Sequence, residues 1–163
     1  PDIITLAKGI ASGLPLSATV ASEKIMNWLP GSHASTFGGN PVSCQVALTT
    51  IKLLEDGLID NAAKQGAYMI NELKKLERTY PIIGDVRGLG LMLAVEIVKD
   101  KETKEYAPEV RDSIIQKAFS KGLLLLGCGR SAIRFCPPLI LSKDDADIAL
   151  SIFEACLKVA LQS

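Results

Sequence analysis

Histidine is nearly missing from this sequence: His33 is the only one among 163 residues. The four cysteines, Cys44, Cys128, Cys136 and Cys156, form no CxxC pair. That inventory lacks the ligand spacing of a zinc site, and no metal is expected. It points instead to reduced cysteines in a cytosolic protein, three of them among apolar neighbours. Aromatic residues make up only 5% of the chain, too few for a base-stacking platform. Neither sign of charge is in excess, with 18 Lys and Arg against 18 Asp and Glu. No electrostatic surplus is available for phosphates, so neither nucleic acid nor a membrane surface is an expected partner. No uninterrupted apolar run approaches the roughly 18 residues that span a bilayer. The longest patch, residues 89–98, is broken by Gly90 and Glu96. No basic stretch followed by an apolar one opens the chain, so no signal peptide is expected. The expected location is cytoplasmic.

Against these absences stands a hydrophobic content of 48% with 22% charge. That balance excludes an intrinsically disordered chain. The length suits one ordinary domain, or pieces of two. A compact domain of this size buries roughly two-thirds of its unfolded surface. The opening residues, Pro1-Asp2-Ile3-Ile4-Thr5-Leu6-Ala7, read as a buried strand with no lead-in. A natural domain rarely opens inside its own core. The expectation is therefore a segment of something longer.

Residues 3–7 are apolar and β-branched enough for a short buried strand, and residues 16–21 for a second. Loops are expected over 9–15 and 28–39. Asn40 then reads as a helix N-cap with Pro41 at the first helical position. Val42, Val46, Ala47, Ile51 and Leu54 follow at helical spacing, and Gly57 ends the helix. A second helix is predicted over 58–80, with Ile59, Ala63, Gly66, Ile70, Leu73 and Leu76 on one face. Residues 85–98 read as strand, turn and strand. Pro108 opens a third helix, with Val110, Ile114, Ala118 and Phe119 inward. Residues 123–126 and 132–135 are predicted strands around the loop 127–130. Ser142 and Asp145 have the spacing of a capping box. The helix behind them would bury Ala149, Ile152, Phe153, Cys156 and Ala160. Residues 58–163 thus form a compact α+β pattern, a small sheet with helices against it. Residues 1–57 carry too few elements for a core of their own.

Three places could carry chemistry. Lys8 directly follows an apolar strand and precedes Gly9. A lysine there would point into a cleft, where desolvation lowers its pKa and suits an amine that attacks an aldehyde. A plain surface lysine at a strand end fits the same position. The stretch Ser35-Thr36-Phe37-Gly38-Gly39-Asn40-Pro41 offers a hydroxyl, two glycines and a helix N-terminus. It could hold a phosphate, or be a capped turn and nothing more. Arg134 lies in Ile133-Arg134-Phe135-Cys136-Pro137-Pro138, a charge inside an apolar strand. Buried there, it would need an anionic partner. A bound carboxylate and an internal acid are equal candidates. The glycines of Gly84-Asp85-Val86-Arg87-Gly88-Leu89-Gly90 lack the Lys-Ser/Thr of a phosphate loop and read as backbone geometry.

These pieces together resemble the C-terminal portion of the class III (omega) aminotransferases, which depend on pyridoxal 5'-phosphate. The resemblance covers essentially the whole chain. Residues 1–18 look like the segment around that family's cofactor lysine. Residues 32–41 look like its phosphate-contacting loop. Residues 84–97, 122–129 and 133–142 follow in the family's order. The resemblance implies an α/β fold of fold-type I. Residues 1–57 would end the large cofactor-binding domain, and residues 58–163 would be the α+β small domain. It implies that Lys8 carries the cofactor as a Schiff base and shuttles a proton. Thr36 would contact the cofactor phosphate of the neighbouring subunit across a homodimer. Arg134 would grip the substrate α-carboxylate. Gly127-Cys128-Gly129 followed by Ile133-Arg134 most resembles the 4-aminobutyrate aminotransferases. The implied reaction moves an amino group from 4-aminobutyrate or a similar ω-amino compound to 2-oxoglutarate or another 2-oxo acid. Amino-acid racemases of the same family, and a non-catalytic fragment that only folds or dimerises, are the alternatives. The groups that hold the cofactor ring precede the lysine in this family, so the chain alone is expected to be inactive.

Overall fold

The computed structural model describes residues 1–161. The chain divides into two compact units, Pro1–Gly57 and Leu58–Ser163.

The first unit is built from a two-stranded sheet and one helix. Strand β1 (Ile3–Leu6) pairs antiparallel with β2 (Ala18–Ala21), Ile3 opposite Ala21 and Leu6 opposite Ala18. A 3-10 turn over Lys8–Ala11 follows β1, where the sequence pattern predicts only loop. Ala11 is fully buried in that turn. Helix α1 (Pro41–Leu53) begins as its first residues dictate. The Asn40 side-chain oxygen accepts from the Val42 and Ser43 amides at 3.0 and 3.2 Å, and Pro41 has no amide to satisfy. Ser12 Oγ and Thr50 Oγ1, 3.1 Å apart, tie the turn to α1. Gly57, at φ 136°, breaks the helical path in the left-handed region that favours glycine.

Strand β1 corrects one expectation. It is not buried: all four of its residues are exposed, Ile3 at 54%. Its only sheet partner among the described residues is β2, so neither face is covered within this unit. An apolar, β-branched run fits the pleat equally well with or without a cover.

The second unit holds the core. Helix α2 (Ile59–Thr79) leads into the β3 (Ile83–Leu89) and β4 (Met92–Ile97) hairpin. Helix α3 (Pro108–Ser120), strands β5 (Leu126–Cys128) and β6 (Ala132–Phe135), and helix α4 (Lys143–Ala160) complete it. The four strands form an antiparallel sheet in the order β3-β4-β6-β5. Alternation along the strands sends Val86, Leu93, Val95, Ile97, Ile133 and Phe135 into the core. Phe135 meets Phe153 of α4 edge-to-face, with ring centroids 5.1 Å apart. Each such large side chain contributes roughly 1.5–3 kcal/mol by leaving water. The Ser142–Asp145 capping box is formed in both directions.

Four local readings shift. Strand β5 begins at Leu126, so Gly127 and Cys128 are strand rather than loop. Phe119 is exposed, because the buried side of α3 is set by Ile114 and Ala118. On α2 the buried residues are Gln65, Gly66, Met69 and Leu73, a stripe rotated away from the exposed Ile59. On α4 they are Ala146, Leu150, Phe153, Cys156 and Leu157. Where apolar residues ring a helix, the neighbour decides which stripe is covered.

Candidate active-site residues

Lys8 opens the 3-10 turn with φ 55°, a left-handed conformation rare for a non-glycine residue. The strand ends two residues earlier, and Ala7 remains extended. Lys8 is exposed and has no ion-pair or hydrogen-bond partner for its amine among the described residues. Its neighbour Gly9 has open space where a side chain would stand. Backbone held in a sparsely populated conformation beside a free amine is the kind of strain found at working sites.

Thr36 sits in an exposed loop before α1. Its neighbours Ser35 and Phe37 line a cavity of about 380 Å³, together with Ser17, His33 and Gly38. The loop is folded on itself: the Gly38 amide donates to the Ser35 carbonyl and the Asn40 amide to the Phe37 carbonyl. The Thr36 hydroxyl is not engaged among the described residues. One part of the phosphate reading changes here. Asn40 already occupies two of the first α1 amides, so the helix terminus is capped rather than open. The donors left for an anion are the loop hydroxyls and loop amides. No carboxylate lines the cavity, so nothing there repels a phosphate. An unpaired amine at Lys8 and a hydroxyl-rich, acid-free loop at 35–38 fit an aldehyde-bearing phosphate ester. Lys8 and Thr36 share no hydrogen bond.

Arg134 lies in the second unit. The sequence predicts a buried charge, and the structure corrects this: Arg134 is the one exposed residue of β6. Ile133 and Phe135 point into the core, and the period of two sends Arg134 to the opposite face of the sheet, which it shares with the small Ala132. No internal acid pairs with it among the described residues. Across the ladders it stands opposite Leu126 on β5 and Ala94 on β4. Its guanidinium is thus flanked by apolar side chains and free to bind a carboxylate at two points.

The open face carries a second arginine that the sequence reading did not single out. Arg87 on β3 also stands opposite Ala94, on the other side of β4. Both of its terminal nitrogens are engaged: Nη1 donates to Asp85 at 2.8 Å and Nη2 to Glu96 at 2.7 Å. Those two carboxylates raise its pKa, Glu96 first and Asp85 second. The alternation Asp85-Val86-Arg87 with a glutamate in the next strand was the available signal. Among the described residues no cluster of His, Cys, Asp and Glu could hold a metal ion. No described helix is long and apolar enough to cross a membrane.

The sequence profile described as "Aminotransferase class-III" matches residues 1–157. The chain belongs to the class-III aminotransferase family. Within it, the chain is 41% identical to the leucine/methionine racemase of Thermococcus litoralis over 159 residues, covering 96% of this chain and 36% of the racemase. It is 37% identical to the acetylornithine aminotransferase of Clostridium acetobutylicum, covering 97% of this chain and 39% of that enzyme. Among solved structures, it superposes on an amine transaminase from an uncultivated Pseudomonas species in its PLP-bound form. That match has a TM-score of 0.89 and 35% identity, and covers 98% of this chain and 39% of the other. The fold is therefore that of the fold-type I class-III enzymes. The class-III chain spans well under half the length of the relatives it matches.

Proposed function

We propose that this chain is the segment of a pyridoxal-phosphate-dependent aminotransferase that carries the cofactor lysine and the substrate-carboxylate arginine. The observation that carries the reading is the class-III match over residues 1–157, within which Lys8 opens a left-handed turn just past β1 and Arg134 faces outward from β6.

Bound pyridoxal phosphate supplies the electron sink for the bonding pair released at the substrate carbon. The residues of this chain do the rest of what is assigned here. Lys8 Nζ holds the cofactor covalently and moves a proton at the substrate carbon. Thr36 donates its hydroxyl to a phosphate oxygen of the cofactor bound in the neighbouring subunit of a homodimer. Arg134 fixes the carboxylate of the amino-acid or oxo-acid substrate in its planar fork. The substrates are an amino donor such as 4-aminobutyrate or a similar ω-amino compound, and 2-oxoglutarate as acceptor. The proposed setting is cytoplasmic.

A second reading has a specific support, the 41% identity to a racemase. A racemase needs the same lysine but returns the proton to the same carbon. Incubating the full-length holoenzyme with 4-aminobutyrate and 2-oxoglutarate, and separately with an L-amino acid and no 2-oxo acid, separates the two. Formation of glutamate supports transamination. Formation of the D-isomer without any 2-oxo acid supports racemisation. Neither product from a cofactor-loaded protein, across a panel of ω-amino donors and L-amino acids, would count against both catalytic readings.

A further inference from the structure

Glu96 stands on the open sheet face between two arginines. It lies on β4 two residues beyond Ala94, and Ala94 faces Arg87 on β3 and Arg134 on β6. Glu96 is thus a diagonal cross-strand neighbour of both. Diagonal neighbours on one face lie roughly 7–8 Å apart, within reach of long side chains. The contact to Arg87 is made, at 2.7 Å, and Arg134 has none. The Glu96 side chain keeps only 15% of its exposure, and a carboxylate so far removed from water requires a cationic partner. Asp85 sits directly opposite Glu96 across the β3–β4 ladder. Without Arg87 between them, the two carboxylates repel, and that repulsion drives Glu96 away from β3 and toward β6.

We propose that Arg87 is a positioning residue that holds Glu96 on the β3 side of the sheet and so keeps Arg134 free for the substrate carboxylate. The inference rests on the reading of Arg134 given above. Arg87 does not touch substrate. It acts by occupying Glu96, the acid on this face that, among the described residues, is a diagonal cross-strand neighbour of Arg134 and could compete with a substrate for it. Lys104 lines the small cavity next to Glu96 with Asp85 and Tyr106. It is the other cation to which a released Glu96 could turn.

The test uses the full-length holoenzyme and 2-oxoglutarate as the carboxylate probe. Arg87→Met should raise the KM for 2-oxoglutarate about tenfold, the loss expected when a charge-assisted contact is contested. The kcat should stay within about twofold, because the bound geometry is unchanged once the carboxylate is seated. Adding Glu96→Gln to Arg87→Met should restore the KM, and Arg87→Lys should retain it. Arg87→Gln carries the same expectation if the methionine variant does not fold. An unchanged KM in Arg87→Met overturns the proposal, and is the result expected if Lys104 captures Glu96. A raised KM that Glu96→Gln does not restore also overturns it, since a merely structural loss would behave so. Arg134→Gln is measured alongside. If it weakens 2-oxoglutarate while Arg87→Met does not, only this proposal fails. If Arg134→Gln leaves the KM unchanged, the carboxylate reading of Arg134 falls, and the proposal with it.

Discussion

Gly66 of α2 lies directly against the carbonyl of Gly90 in the β3–β4 turn: a Cβ at position 66 would stand 2.0 Å from the Gly90 oxygen. That approach seats the helix on the hairpin, and the hairpin carries Arg87 and Ala94 on its outer face. Gly90 itself turns with φ 55°, so the contact joins a helix position that tolerates no side chain to a turn that favours none.

Gly66→Ala should therefore destabilise the second unit, although alanine is the better helix former. The clash is with backbone, which cannot rotate aside as a side chain can. The expected loss is about 1–3 kcal/mol, the range for overpacking. Urea unfolding of the 163-residue chain checks it, and a midpoint equal to or above that of the wild type would refute the reading.

Lys8→Ala should abolish covalent cofactor attachment in the full-length protein. Borohydride reduction of the holoenzyme followed by peptide mapping should label Lys8 and no other lysine. Turnover should fall at least ~10²-fold from the lost proton transfer alone. Label on any other lysine would end the assignment.

Arg134→Lys keeps the charge but loses the planar fork. Because Arg134 is exposed and has no ion pair among the described residues, the change should cost little stability and act on substrate instead. The expected weakening of a carboxylate substrate is ~1.5–3 kcal/mol, with cofactor affinity unchanged. Equal KM values for variant and wild type would count against the role.

The features legible in the sequence are those fixed by neighbouring residues. Asn40 and Pro41 specify a helix start through their own side chains, and Ser142 with Asp145 do the same for α4. The order of elements in the second unit follows from such local signals and from the switch between helical and strand periods. What depends on a distant partner was not legible. Arg134 looks buried in a string of apolar letters, yet alternation turns it outward, and only the helices packed on the other face decide which side is open. The stripe on α2 rotates because the hairpin meets it at Gly66, a contact between residues 24 positions apart. Arg87 gained its meaning only when the register set it beside Ala94, across from Arg134.

The seam between α2 and α4 predicts how the second unit responds to acid. Tyr68 donates to Asp147, which also accepts from Lys143 at 2.6 Å. Farther along, Tyr80 donates to Glu154 at 2.9 Å, and Lys158 pairs with Glu154 at 3.0 Å. Lys143 first and Tyr68 second hold the Asp147 carboxyl below its usual range. Lys158 and then Tyr80 do the same for Glu154. A carboxyl whose folded pKa is depressed stabilises the fold above its unfolded pKa and loses that contribution as pH falls through the folded value. The loss should therefore begin near pH ~4 and continue below it. Both acids are partly open to water, so the effect is small and shrinks with salt. Asp147→Asn and Glu154→Gln should each lower the urea midpoint at neutral pH and converge with the wild type in strong acid, giving a shallower pH profile at low ionic strength. Parallel profiles for variants and wild type would mean that these seams add nothing to acid sensitivity.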